Sequence, residues 1–277
     1  MLYKIVALLE IWLMLTLKMS AAQEVSSMDT LPQASPVPSQ KNNDPLDDSL
    51  RYKLNAAYLK SYWTDLKYTV GRPAHWQKKD WVKFGGIMTG IGGLMLADKT
   101  IKSVALANQN NFSNSIANTV EPFGNFYGLY LFPAVYAGGL VTKNEKMQHI
   151  GLAGGKSLVI STVVYTAAKK LIRRRRPDAT QTPFDYALPF SKRKYTSSPS
   201  GHTNTIFTVA TAIALEFPEK KWVAPVVYSL ASVTAASRIY HNRHWASDVL
   251  MGAALGHFVT KAVYASSHKK KRMLRVP

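Results

Sequence analysis

The stretch "PSGHTNTIFTVATAIALEFP", residues 199–218, decides how this chain is read. A tight, polar Pro-Ser-Gly-His start gives way to a run from Thr203 to Phe217 whose only uncompensated charge is Glu216, and Pro218 follows. The run does not alternate polar and apolar residues, so it reads as a buried helix entered from a loop. Gly201 permits close approach of backbone. The helix start behind it offers unpaired N–H groups and the positive end of the helix dipole, which together favour an anion. Ser200 adds a hydroxyl, and His202 adds a group that exchanges protons near neutral pH. By itself the tetrapeptide fits simple N-capping with an incidental histidine equally well. No G-x-S-x-G pattern surrounds Ser200, which argues against a nucleophilic serine.

Five further apolar segments flank this one, near Trp81–Leu96, Phe123–Val141, His149–Ala168, Trp222–Ser237 and Ser247–Ser266. Pro133 interrupts the second. Period-two runs bounded by hairpin turns are missing from the sequence, so the expected fold is all-α: a bundle of about six core helices with its functional site at one end. Residues 81–266 would form that domain. Ahead of it, residues 1–22 have the pattern of a signal peptide or N-terminal anchor, with Lys4, an apolar Ile5–Leu17 run flawed by Glu10, and small residues at Ser20 and Ala22. Residues 23–50 are rich in Ser, Pro, Asn and Asp and read as a flexible linker. Residues 51–80 hold an amphipathic helix and a connection, with Leu59, Tyr62, Trp63 and Leu66 gathered on one face that would pack on the domain or, alternatively, lie on a membrane surface. Residues 267–277 form a basic tail.

The chain carries 35 Lys and Arg against 16 Asp and Glu, a formal charge of +19. Such an excess points to anionic partners: phosphate esters, acidic lipid or nucleic acid. Nucleic acid is disfavoured, because the basic run at Arg173–Arg176 has no interleaved aromatics and no reader motif accompanies it. There is no cysteine, hence no disulfide framework or thiolate metal site.

Two more blocks complete the chemistry. In "KKLIRRRRP", Lys169–Pro177, Lys169 and Arg176 are seven residues apart. On a helix ended by Pro177 they would leave one face and project into the following loop. In "SRIYHNRHWASD", Ser237–Asp248, His244 and Asp248 are one helical turn apart, which lets Asp248 accept a hydrogen bond from one ring nitrogen of His244 and leave the other free; a simple helix-start salt bridge from His244 or Arg243 to Asp248 is the alternative. Arg238 lies six residues upstream of His244. His241, His244 and Asp248 also have spacing that suits a metal, so a metal-dependent hydrolase is a competing reading.

Taken together, Lys169…Arg176-Pro177, Pro199-Ser200-Gly201-His202 and Ser237-Arg238…His244…Asp248 resemble the type 2 phosphatidic acid phosphatase superfamily. Its signature is K-x6-R-P, then P-S-G-H, then S-R-x5-H-x3-D, and all three parts stand here in order. The superfamily also holds bacterial acid phosphatases and vanadium haloperoxidases. The resemblance implies that His244 is the nucleophile and forms a phosphohistidine, that Asp248 orients it, and that His202 protonates the leaving oxygen. Lys169, Arg176, Ser200, Gly201 and Arg238 would hold the phosphoryl oxygens. It implies a phosphatase with no metal or other cofactor.

The substrate expected from six apolar segments and a basic surface is a membrane lipid phosphate: lipid A, phosphatidylglycerol phosphate, phosphatidic acid or an isoprenyl diphosphate. A soluble periplasmic acid phosphatase is the alternative, since Thr203–Phe217 is short for a span. A haloperoxidase is disfavoured by chain length. The N-terminal run points to an exported protein, associated with or integral to a membrane and facing the periplasm.

Overall fold

The computed structural model describes residues 53–191 and 195–273, all within one compact unit, Tyr52–Pro277. The expectations for residues 1–22 and 23–50 lie outside the described residues. The described residues form eight α-helices: α1 (Ala56–Gly71), α2 (Lys78–Ala107), α3 (Asn111–Val120), α4 (Phe126–Val141), α5 (Glu145–Ile172), α6 (Gly201–Glu216), α7 (Val223–Tyr240) and α8 (Ala246–Met273). Among the described residues the only β-pairing is an isolated bridge between Arg174 and Tyr186. The all-α expectation holds, and all six apolar segments are helices. The short α3 was not anticipated: its sequence is mostly Asn, Ser and Thr, and its start is fixed by Asn110, whose side chain accepts from Ser113 N at 2.9 Å.

Several helices outrun their apolar segments, α2 and α8 the furthest at their C-terminal ends. α2 continues past Leu96 through Asp98, Lys99 and Lys102, and α8 continues past Ser266 to Met273, into the stretch read as a tail. Helices extend through charged residues wherever these find partners or solvent, whereas an apolar run shows only the part that needs burial.

The inner face of α1 also departs from expectation. Leu59 and Trp63 are 60% exposed, while Tyr62 and Leu66 pack against Ile160 of α5 and Val259 and Val263 of α8. The buried face is instead centred on Tyr58, Asp65 and Thr69. Tyr58 donates to Leu152 O at 2.8 Å, and Asp65 accepts from Lys156 at 2.9 Å and from Ser266 at 2.8 Å. Polar anchors, each costly to leave unpaired in the interior, outweigh the exposure of two apolar side chains.

α6 occupies the centre, with Thr203–Ala212 continuously buried by α5, α7 and α8. Its approach to α8 depends on glycine. A Cβ on Gly252 would stand 2.5 Å from the Ser200 carbonyl oxygen, and one on Gly256 would stand 2.5 Å from that of Asn204. Two glycines four residues apart therefore let α8 lie directly on the start of α6. Among the described residues, α5 is the one helix long and apolar enough to cross a membrane, with a mean hydropathy of 1.3 over its most apolar window, and more than half of that window is buried in the bundle.

Candidate active site

One end of the bundle gathers the C-terminal ends of α5 and α7 and the N-terminal ends of α6 and α8, and all three motif blocks meet there. The first block differs from the expected helix. α5 stops at Ile172, where Arg173 takes a left-handed conformation (φ 49°) and its N–H reaches Lys169 O at 3.3 Å. Lys169 is thus on the last turn, and Arg176 lies on an extended segment beyond it. The segment is held in place by its own backbone: Arg175 N–H donates to Asp185 O and Ala187 N–H to Arg173 O, both at 2.9 Å, and Ser197 N–H donates to Arg174 O at 2.9 Å.

That chain reversal turns Arg174 inward. Its side chain is 2% exposed, and it donates to Asp98 Oδ2 at 2.8 Å, to Asp248 Oδ1 and Ser247 Oγ at 2.7 Å each, and to Pro183 O at 2.8 Å. Ser247 is tied to Asp98 as well, through its N–H at 3.0 Å and its hydroxyl at 2.5 Å. A buried floor of charges and hydroxyls thus joins α2, the Arg174 segment and the start of α8.

Asp248 belongs to that floor rather than to the His244 ring. Its Oδ2 accepts from Ser197 Oγ at 2.5 Å and from Trp245 N–H at 3.1 Å, and its Oδ1 accepts from Arg174. His244 precedes α8, so the one-turn geometry read from the sequence does not apply. The ring nitrogen Nδ1 of His244 instead meets the backbone carbonyl of Ser197 at 2.7 Å. A carbonyl only accepts, so Nδ1 carries the proton and Nε2 keeps its lone pair. Asp248 acts on His244 at one remove, by fixing Ser197 and Trp245. Burial, and then the charges of Lys169, Arg176 and Arg238, hold His244 well below the ordinary imidazole value, so the ring is neutral at physiological pH. Burial also lifts Asp248, against the pull of Arg174, Ser197 and the Trp245 N–H.

The cations that press on His244 surround it. Lys169 Nζ donates to Thr196 O at 2.9 Å. Arg176 and Arg238 each keep a buried Nε–H that has no partner among the described residues. Orphaned guanidinium donors in a positive cluster suit an anion with several acceptor oxygens. Ser200 is fully buried at the N-cap of α6. Its N–H donates to Asp248 O at 3.0 Å and its hydroxyl accepts from Thr203 at 3.0 Å, which leaves the Ser200 O–H proton to donate. Gly201 opens α6 with the Tyr165 ring 3.3 Å from where its Cβ would be. His202 is half-buried on the rim, and burial, then Arg238, pull it down to about 4, with Glu121 opposing.

Glu121 was not anticipated. It opens the 3-10 turn Glu121–Gly124 and is hydrogen-bonded to Arg238, with His241 at 3.4 Å and His202 at 3.8 Å. His241 therefore faces Glu121, whereas His244 and Asp248 are committed to Ser197 and Arg174. These three do not converge as a metal set, and no group of three or more His, Asp or Glu suited to a metal occurs among the described residues. Asp98 and Arg174 also escaped the sequence reading. Their one signal was a lone acid at the end of an apolar helix and a surplus arginine inside the K-x6-R-P spacing.

Comparison with known proteins agrees with this geometry. A lipid A 1-phosphatase of Porphyromonas gingivalis is 42% identical over 99 residues, 35% of this chain but 19% of that protein. An undecaprenyl-diphosphatase of Sulfolobus acidocaldarius is 28% identical over 171 residues, 61% of this chain and 79% of the other. The first of these relatives is thus matched over less than a fifth of its length. The crystal structure of a transmembrane PAP2-type phosphatidylglycerolphosphate phosphatase from Bacillus subtilis shares the fold, with a TM-score of 0.50 and 21% identity over 76% of this chain and 96% of that one. Residues 152–272, which hold all three motif blocks, match the model of the PAP2 superfamily.

Proposed function

We propose that the protein is a phosphatase that removes phosphate from a membrane lipid through a phosphohistidine at His244, without a metal. The observation that carries this reading is the His244–Ser197 hydrogen bond, which presents an unprotonated Nε2 inside a ring of cations. In the first step the Nε2 lone pair forms a bond to phosphorus, the bond from phosphorus to the ester oxygen breaks, and His202 gives its proton to that oxygen. In the second step His202 takes a proton from water as its oxygen attacks phosphorus. The P–N bond breaks, the electron pair returns to Nε2 and inorganic phosphate leaves. A bound phosphoryl dianion would offset the surrounding cations and lift His202 toward the range where it holds a proton. Lys169, Arg176, Arg238, the Ser200 hydroxyl and the start of α6 would hold the equatorial oxygens, the charge stabilisation that phosphoryl transfer chiefly needs.

The lipid assignment is supported by the names of the relatives and by the apolar surface of α2 and α4, where Trp81, Val82, Phe84, Phe126 and Tyr130 are exposed. The N-terminal run supports export, with the site on the periplasmic side of a membrane.

The test is turnover of lipid A 1-phosphate, phosphatidylglycerol phosphate and undecaprenyl diphosphate side by side in detergent, with EDTA and with orthovanadate. Activity that survives EDTA, is blocked by vanadate and disappears with phosphoenzyme labelling in His244→Ala is expected. Activity lost in EDTA and restored by zinc, or full labelling of His244→Ala, would overturn the mechanism.

A further inference from the structure

Glu121 is an acid in a site built for an anion. Its Oε1 binds Arg238, whose side chain is 6% exposed, and stands 3.8 Å from His202 Nε2, while Oε2 stands 3.4 Å from His241 Nδ1. Two of those three groups belong to the phosphate-handling set. The turn that carries Glu121 is pressed against the same residues: a Cβ on Gly124 would be 3.0 Å from both His202 Cβ and His202 O, and Thr234 Oγ1 holds Val120 O at 3.3 Å. Burial alone would raise Glu121, but its hydrogen bond to Arg238 and the charges of Arg238, His241 and His202 bring it below the ordinary carboxylate value, so it is ionised at neutral pH. The side chain is nevertheless 37% exposed, so it can swing away from Arg238 into solvent.

The geometry points to Glu121 as an internal competitor of the phosphoryl group, a carboxylate that occupies Arg238 until a phosphoryl oxygen displaces it. This rests on the proposed phosphatase reading. Competition of this kind weakens every phosphoryl ligand by the same factor. Free phosphate and short esters have nothing else to hold them and fall below occupancy. An ester whose lipid chain packs elsewhere still binds, and the phosphate product leaves readily. The carboxylate therefore keeps the site clear of free phosphate and short esters at ordinary concentrations, while the affinity ratio of tethered to small esters stays as the tether sets it.

The experiment is titration of the purified full-length chain and of Glu121→Gln and Glu121→Ala with inorganic phosphate and with orthovanadate, read by calorimetry, with thermal unfolding as a check on folding. Both variants are expected to bind both anions about fivefold tighter or more, the order set by freeing one partly exposed charge pair. Inhibition of turnover by added phosphate should strengthen in step. Unchanged or weaker anion binding in a folded variant, with binding intact in the parent protein, overturns the competitor role and leaves the phosphatase reading standing. Absence of binding by the parent protein and by both folded variants overturns both.

Discussion

Arg174 offers the sharpest test of how the site is held. Arg174→Met keeps an unbranched side chain that fills part of the same space but removes every donor. In the folded protein this strands Asp98 and Asp248, both essentially without solvent contact, and unties Ser247 and the Pro183 carbonyl. Removing one partner of a buried ion pair costs about 3–5 kcal/mol, because the other charge stays buried. At about 3 °C per kcal/mol for a chain of this size, a cost of about 4 kcal/mol lowers the melting temperature by about 12 °C. Intrinsic tryptophan fluorescence on heating the detergent-solubilised protein reads this directly. Adding Asp98→Asn to Arg174→Met removes one stranded charge, so the double variant should melt above the single one. A fall of less than about 3 °C for Arg174→Met, or strictly additive losses in the double variant, would show that the three charges are not coupled as their 2.7–2.8 Å contacts imply.

Three further outcomes follow from the same geometry. Because His202 is pulled to about 4 and His244 lies well below its ordinary value, the unfolded chain binds more protons than the folded one between about pH 6.5 and pH 4. Stability is therefore full above about pH 6.5 and declines as pH falls through that window, seen as a falling melting temperature; a flat profile would mean that both rings protonate freely in the fold. Gly252→Ala places a Cβ 2.5 Å from the Ser200 carbonyl and should destabilise by about 1–3 kcal/mol while slowing turnover, and unchanged melting and kcat would refute the close approach of α8. His202→Ala should slow hydrolysis of an alkyl phosphate about 100-fold more than that of nitrophenyl phosphate, whose leaving group needs little protonation, and equal losses would remove His202 from the acid role.

Much of this site was legible because its chemistry is carried by residue types that are costly to place anywhere else. Pro199–His202, Arg238 and His244, picked out by the family resemblance, come together at one end of the bundle, and the six apolar runs mark the helices that support them. What the sequence hides is which partner each polar group takes. Asp248 four residues after His244 implies a direct bond only if both lie on one helix. They do not, because α8 begins at Ala246, and the Ser197 carbonyl, delivered from 47 residues away in sequence, takes the ring nitrogen instead. Glu121 is 117 residues from Arg238, and Asp98 is 76 from Arg174. No local pattern announces pairs at such separations.

The arginine run shows why this matters for function. Arg173–Arg176 are four identical residues, and on a continuous helix they would fan around the axis and mostly face solvent. The left-handed turn at Arg173 replaces that arrangement with an extended segment, in which successive side chains point to opposite sides. Arg174 enters the interior to bind Asp98 and Asp248, Arg175 pairs with Asp185 near the surface, and Arg176 returns toward His244 with a buried Nε–H that has no partner among the described residues. The same break that spoils the two-turn reading of Lys169 and Arg176 therefore separates the fully paired Arg174 from Arg176, whose charge acts on His244. Substituting Arg174 should accordingly be read out mainly in melting temperature, and substituting Arg176 mainly in anion binding. If the two variants showed the same profile, the inward and siteward directions assigned to neighbouring arginines would be wrong.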